Sequence, residues 1–415
     1  MLFRPRVASD DLAARLRRSG AVLVEGAKGC GKTELATRAA ASVVRVDTDP
    51  DVPAYMDVDP ARVLDGATPR LIDEWQVQPR LWDFVRRAVD DRRAPGQFIL
   101  TGSATPDDDA RRHSGAGRFS VMRLRPMSLS EAGWSTGEVS WGELRRGGRV
   151  RAGSSGVDLD GLARMIVRGG WPATLDASHT DARDYVTDYL ALLTQADLSR
   201  ALGVRRDPVR VRQFLGSIAR NVATDVSLST IVADVGEAGG RLNRDTAAVY
   251  LDALNRLMII EDQPAWATAL KDSATLRKAP KRHFVDPSLA AAALGATEVT
   301  LVREPKTLGS LFESLVIRDL RVYAASEGGE VYHYRDSAGR EIDAVVRYPD
   351  GWVACGIKLG TGSVDAAADA LRRAVAQVAT QTVGEAQALV VITGAGPGYR
   401  RPDGVDVVPI TALRG

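Results

Sequence analysis

Residues 21–42 read AVLVEGAKGCGKTELATRAAAS. The apolar run AVLVE predicts a buried strand, ELATRAAAS predicts a helix, and GAKGCGKT between them fits the pattern G-x-x-x-x-G-K-[ST]. The spacing has a mechanism: glycines let the backbone wrap a triphosphate with its N–H groups, Lys32 reaches the β- and γ-phosphates, and Thr33 offers a hydroxyl to Mg²⁺. Gly26, Ala27, Lys28, Gly29, Cys30, Gly31, Lys32 and Thr33 are therefore the candidate nucleotide-binding residues, with ATP and Mg²⁺ as the expected ligands.

The strand-like stretch RLIDEWQ at 70–76 supplies the second half of such a site. Asp73 would enter the magnesium shell together with Thr33, and Glu74 would polarise the attacking water. FILTGSA at 98–104 ends another strand with Thr101 and Ser103, which either sense the γ-phosphate and the water or only cap the strand end. Arg118 follows two glycines in GAGR. It suits transition-state charge on ATP, in its own subunit or a neighbour's, and would equally suit solvent as an ordinary surface arginine.

Around these motifs, AVLVEG, VVRVD, RLIDE and GQFILTG read as buried strands, while residues 32–41 and 81–89 have helical composition. This alternation predicts an α/β domain with a parallel sheet. RRGGRVRAGSSGVDLDG then reads as a loop or linker, followed by a helical region over about 159–202 and a second helical cluster over about 208–258. From residue 281 the pattern becomes α/β again, with VYHYRD, EIDAVVRY, WVACGIKL and ALVVIT as strands.

The composition narrows the class. At 415 residues, with 45% hydrophobic and 26% charged residues, the chain is that of a soluble protein of about two to three domains. A net charge of +2 gives no global pull toward nucleic acid or membrane, so any such binding must be local. Cys30 and Cys355 have no paired spacing, which argues against structural zinc and fits a reducing cytosol. No window is apolar enough for a membrane span or signal peptide, and a cytoplasmic location is expected. His113, His179, His283 and His333 are scattered and receive no role.

The order of GAKGCGKT, RLIDEWQ, FILTGSA, GAGR and LRPMSLSE resembles the bacterial and archaeal AAA-type ATPases that carry a C-terminal domain of unknown function. RGGWPATL, the helix ending LTQADLSR, LNRDTAAVYLDALNRLMIIEDQPAW, KRHFVDPSL, LGSLFESLVIRDL and YRDSAGREIDAVV resemble that family's remaining signatures, so the resemblance spans nearly the whole chain. It implies an AAA-like core, a winged helix-turn-helix and a terminal domain similar to the restriction-endonuclease fold. The expected domains are a P-loop AAA-like domain at 1–135, a linker and helical region at 136–205, a winged helix at 206–275 and a nuclease-like domain at 276–415. It also implies a homo-oligomer, a ring among the options, with Arg118 acting across a subunit boundary.

In the winged helix, Val249, Leu251, Leu254 and Leu257 include an apolar face at helical spacing, and Arg241 and Arg244 are the candidate DNA contacts. Asp245, Asp252, Glu261 and Asp262 are interleaved with the arginines, so a protein-packing role stands equally. In the nuclease-like fold, Glu313, Asp343 and Lys358 match the acidic and lysine positions of a metal-dependent site, but Gly356 stands where the family pattern has a glutamate. Glu341 shares a face with Asp343 and could substitute; the glycine could also be an engineered change. The expected function is an Mg²⁺-dependent ATPase acting on DNA as a motor or remodeller, with an impaired nuclease-like domain. A nucleotide-dependent protein-binding switch and an ATP-gated nuclease are the alternatives.

Overall fold

The computed structural model describes residues 4–102, 115–203, 207–237, 239–240, 242–268, 279–378 and 380–415. Strand β1 (Ala21–Glu25) sits among four others, β2 (Ser42–Arg45), β3 (Arg70–Asp73), β4 (Phe98–Gly102) and β5 (Phe119–Arg123), in the lateral order β2-β3-β4-β1-β5. All four pairings are parallel.

Successive side chains leave this sheet on opposite faces. Ala21, Leu23, Ile72, Phe98 and Leu100 join one core with Trp75 and Trp82, while Val22, Val24, Leu71, Ile99 and Met122 join another with Leu12 and Leu35. Two covered faces explain why β1 and β4 read as continuous apolar runs. Strand β5 escapes such a reading because it is an edge strand, FSVMR, with only Met122 buried. Because all strands run one way, Glu25, Asp73 and Gly102 gather at one edge of the sheet, where ligands of such sheets bind.

Beyond it lie β6 (Val139–Ser140), β7 (Arg151–Ala152), β8 (Ile260–Gln263), β9 (Lys281–Phe284), β10 (Glu330–Arg335), β11 (Glu341–Tyr348), β12 (Gly351–Lys358), β13 (Ala388–Thr393), β14 (Gly398–Arg400), β15 (Asp406–Pro409) and β16 (Leu413–Arg414). A mixed seven-stranded sheet has the order β10-β11-β12-β13-β15-β14-β7. Val353, Cys355 and Ile357 of β12 face the core built on the Pro305–Ala325 helix, and Trp352 and Ala354 face the Val364–Val375 helix.

The stretch read as a linker is woven into this second body. Strand β7 pairs with β14, β6 pairs in parallel with β16, and Arg145 binds Glu327 at 2.7 Å. Val150 and Ala152 are the apolar residues of that stretch that become buried, too short a pattern for a periodicity to reveal. Between the sheets, helices Pro208–Arg220, Leu228–Glu237 and Arg244–Arg256 lead into the antiparallel hairpin β8–β9. Val249 does not lie on the buried face of the last of these. Ala247, Tyr250, Ala253, Leu254 and Leu257 form the buried stripe, and Val249, two residues from Ala247 and so about 200° around the helix, is exposed.

A fully buried ion network ties the parts together. Arg318 donates to Asp286 at 2.8 Å and to Asp319 at 2.7 Å. The two carboxylates also accept the backbone N–H groups of Gly170 and Leu129, each at 2.9 Å. Gly170 has to be glycine: a Cβ there would lie 2.1 Å from the Met127 carbonyl oxygen. The stretches RGGW, VDPSL and IRDL thus meet at one junction, because a buried guanidinium is tolerated only when paired and hydrogen-bonded.

Candidate functional site

The loop after β1 passes through Gly29 (φ +74°) and Gly31 (φ +101°), left-handed values that favour glycine, before the Lys32–Ala39 helix begins. Ala27 and Cys30 are fully buried and anchor the loop to the core, and burial pushes the Cys30 thiol upward. The Lys32 ammonium, also buried, lies inside the loop and donates to the carbonyls of Gly26 at 2.8 Å and Ala27 at 3.0 Å.

Three polar side chains meet at the adjoining strand ends. Thr33 donates to Asp73 Oδ1 at 2.9 Å, and the Thr101 hydroxyl donates to the same oxygen. The parallel register sets Asp73 directly beside Thr101. Glu74 follows at φ +53°, a left-handed conformation uncommon for a glutamate, and its carboxylate accepts a hydrogen bond from Gln76. Ser103 lies outside the described residues.

Arg118 stands at the opposite end of the sheet. Its carbonyl accepts from the N–H of Ala21, the first residue of β1, and its guanidinium holds Asp90 at 2.8 Å. The loop leaves β1 roughly 13 Å away at the strand's other end. Arg118 therefore does not reach the loop of its own subunit, and the cis option fails on geometry.

Residues distant in sequence complete the site. Arg6, buried, donates to the Cys30 carbonyl at 2.9 Å, to Glu131 at 3.1 Å and to the Arg125 carbonyl at 2.7 Å. Lys28 binds Asp197 at 2.6 Å. Beside the loop helix, a cavity of about 240 Å³ is lined by Arg4, Leu35, Arg38, Met127, Pro172 and Leu175. No local pattern marks Arg6; Asp197 lies within LTQADLSR, one of the stretches carrying the family resemblance.

In the second sheet, Asp343, Gly356 and Lys358 line a cavity of about 310 Å³ with Arg340, Glu341 and Arg373. Asp343 Oδ2 accepts the Ile357 N–H at 2.7 Å and the Lys358 ammonium at 3.2 Å. Glu341 pairs with Arg335 at 3.1 Å. Glu313 is not among the residues lining that cavity; it holds Lys281, the first residue of KRHFVDPSL, at 2.7 Å. Burial pushes the Glu313 carboxyl up to about 7 against the pull of Lys281. Among the described residues, no group of three or more His, Cys, Asp or Glu side chains could hold a metal ion.

Arg244 is exposed in the first turn of the Arg244–Arg256 helix, sharing its outer surface with Asp245, Ala248, Val249 and Asp252; Arg241 lies outside the described residues.

Residues 18–133 match the family described as an AAA domain. Strand β1, the phosphate loop and the Lys32–Ala39 helix all lie inside that match. Residues 159–300 and 308–413 match two families described as domains of unknown function, DUF8612 and DUF4143. Over 352 residues the chain is 27% identical to an uncharacterized protein of Mycobacterium tuberculosis (strain H37Rv), covering 83% of this chain and 72% of that one. An uncharacterized protein of Mycobacterium bovis is similar to the same extent.

Among solved structures, the chain resembles a Walker-type ATPase of Pyrococcus abyssi, with a TM-score of 0.42, 14% identity, and coverage of 70% of this chain and 99% of that one. It also resembles Drosophila ORC bound to DNA, with a TM-score of 0.22, 16% identity, and coverage of 69% and 84%. Both scores are too low to assign a fold. Among the described residues, no helix is long and apolar enough to cross a membrane.

Proposed function

We propose that this protein hydrolyses ATP at the P-loop of its AAA domain and uses the nucleotide cycle to act on DNA. The observation that carries the first half is the meeting of Thr33, Asp73 and Thr101 around one carboxylate oxygen beside the Lys32 ammonium. The donor set fits a magnesium ion: Thr33 and Asp73 offer hard oxygen ligands at the mouth of a loop whose N–H groups suit phosphate. Mg²⁺ bound there would neutralise charge on the phosphates. Lys32 would pair with the β- and γ-phosphates, Glu74 would orient and polarise water, and Thr101 would report on the terminal phosphate. The cavity along Leu35 and Met127 has the size and apolar lining for the base.

Arg118 fits a role on a neighbouring copy's nucleotide, which requires a homo-oligomer such as a ring. Its partner Asp90 would have to release it first. The two buried, unpaired thiols suit a reducing cytoplasm.

Three helices followed by a hairpin have the layout of a winged helix, with the Arg244–Arg256 helix as the reading element. A two-sided sheet with Asp343 and Lys358 at one cavity fits a nuclease-like domain that Gly356 leaves short of a ligand, which weakens the reading as an ATP-gated nuclease. Asp245 and Asp252 on the outer face of the helix favour a second reading, a nucleotide-dependent switch docking a protein.

Steady-state ATPase rates with Mg²⁺, with and without single-stranded, duplex and branched DNA, separate these readings, with Lys32→Ala as the blank. Stimulation by one DNA form supports the motor or remodeller. A Lys32-dependent rate indifferent to all three supports the switch, and no Lys32-dependent rate removes the proposal.

A further inference from the structure

Lys28 is a second lysine in a loop whose motif requires one. Its side chain leaves the loop interior, is 45% exposed, and donates to Asp197 Oδ1 at 2.6 Å. Asp197 arrives from far along the chain, closing a π-helical turn, Leu193–Asp197, between the helices His179–Leu192 and Leu198–Ala201. A π turn shifts side chains off the α-helical track, and such turns concentrate at functional positions. Here the shifted carboxylate is 17% exposed and points at the phosphate loop.

The same helical segment roofs the loop. A Cβ placed on Gly29 would lie 2.9 Å from the Tyr185 hydroxyl and 3.9 Å from the Trp171 ring. Trp171 packs on Tyr189 at 4.8 Å between ring centroids and is pinned by its indole N–H to Ser288 at 3.0 Å. The roof therefore rests on the Arg318 junction, and among the described residues Asp197 is the carboxylate by which it holds the loop.

A carboxylate above a loop built to receive anions is a competitor for the loop's cations. ADP and ATP differ by one charged group, at the end of the phosphate chain, and a loop of this kind receives that chain. We infer that Lys28 exchanges Asp197 for the terminal phosphate of ATP, so that the triphosphate, and not the diphosphate, frees the helical segment 179–201 from the loop. Arg200, 3.8 Å from Asp197, is the cation that takes the released carboxylate. Lys28 is then a positioning residue that converts the presence of one phosphate into movement of the roof. This rests on the reading of residues 26–33 as an ATP site.

The test uses the full chain and compares binding of ADP with a non-hydrolysable ATP analogue, AMP-PNP, both with Mg²⁺. Asp197→Asn is expected to tighten AMP-PNP about three- to tenfold, and Lys28→Met to weaken it about tenfold, with ADP moving less than about twofold in each. Lys28→Arg should keep most of the preference. Hydrogen exchange over 179–201 should rise with AMP-PNP but not ADP in the wild type, and respond to neither in Lys28→Met. Equal changes for both nucleotides, or none, overturn the exchange while leaving the ATP site in place. Wild-type protein that binds neither nucleotide, indistinguishable from Lys32→Ala, removes the underlying reading as well.

Discussion

Glu261 accepts two hydrogen bonds from Arg125, one from Nε at 2.9 Å and one from Nη2 at 2.5 Å, at the seam between the exit of the first sheet and the β8–β9 hairpin. Arg123 and Arg321 approach the same carboxylate at 3.5 Å each. Arg125 is also the residue whose carbonyl Arg6 holds while gripping Cys30 of the phosphate loop. A physical chain of contacts thus runs from the loop to the hairpin and the long Pro305–Ala325 helix.

Burial alone would raise the Glu261 carboxyl, but the surrounding guanidinium groups outweigh it and hold it well below the usual carboxylate range. Replacing it by glutamine leaves those arginines uncompensated and should cost about 3–5 kcal/mol in urea unfolding. The sign follows from the depressed value. The stabilisation is present above the unfolded-state range and disappears as pH falls below about 4, so the wild type and Glu261→Gln should converge in acid.

Asp73 holds both Thr33 and Thr101, so its removal should uncouple metal from nucleotide. Asp73→Asn is expected to lower Mg²⁺-dependent turnover at least about a hundredfold. ADP binding in EDTA should change less than about threefold. Equal losses in both would make Asp73 a structural support of the loop.

Glu313 predicts a pH dependence of the opposite sign to Glu261. Burial lifts its carboxyl to about 7 from 4.5, so the folded chain binds the proton more tightly than the unfolded one between those values. Stability contributed by this group is full at the acid end, falls as pH rises through the window and levels off above it. Thermal midpoints measured from pH 5 to 7.5 should slope down in the wild type and run flatter in Glu313→Gln.

Gly356 lies within a strand in open space: a Cβ there would meet only Val391, at 4.0 Å. Gly356→Ala should therefore stabilise by about 0.5–1 kcal/mol through lost freedom of the unfolded chain. Gly356→Glu should fold as well and put a second carboxylate into the cavity of Asp343. Cleavage of plasmid DNA with Mg²⁺ or Mn²⁺ is expected from Gly356→Glu and not from the wild type. Cutting by the wild type would reverse the reading of impairment, and cutting by neither would leave the domain as a scaffold.

The sequence made legible what is built from neighbours along the chain. A strand, eight loop residues and a helix carry the phosphate site in one unbroken stretch, and the apolar runs of β1, β3 and β4 report a sheet covered on both faces. Contacts closed by tertiary folding were hidden. Arg6 gives no local sign that it will meet Cys30, and a two-residue strand such as β7 has no period to detect. Val249 was apolar and near the right spacing, but Ala247 and Tyr250 define the buried stripe. Arg118 stands out in the sequence by its place after two glycines, whereas its distance from the loop is set by the register of β5 on β1.

The weaving of β6 and β7 into strands near the other end of the chain bears on how this protein tolerates being cut. A nick at the exposed Ser154 would leave β6 and β7 on one piece and their partners β16 and β14 on the other. The Leu129 N–H would still reach Asp319 across the break. The two pieces should stay associated through a gel-filtration column, so that the polypeptide behaves as a split protein whose halves, made separately, find each other.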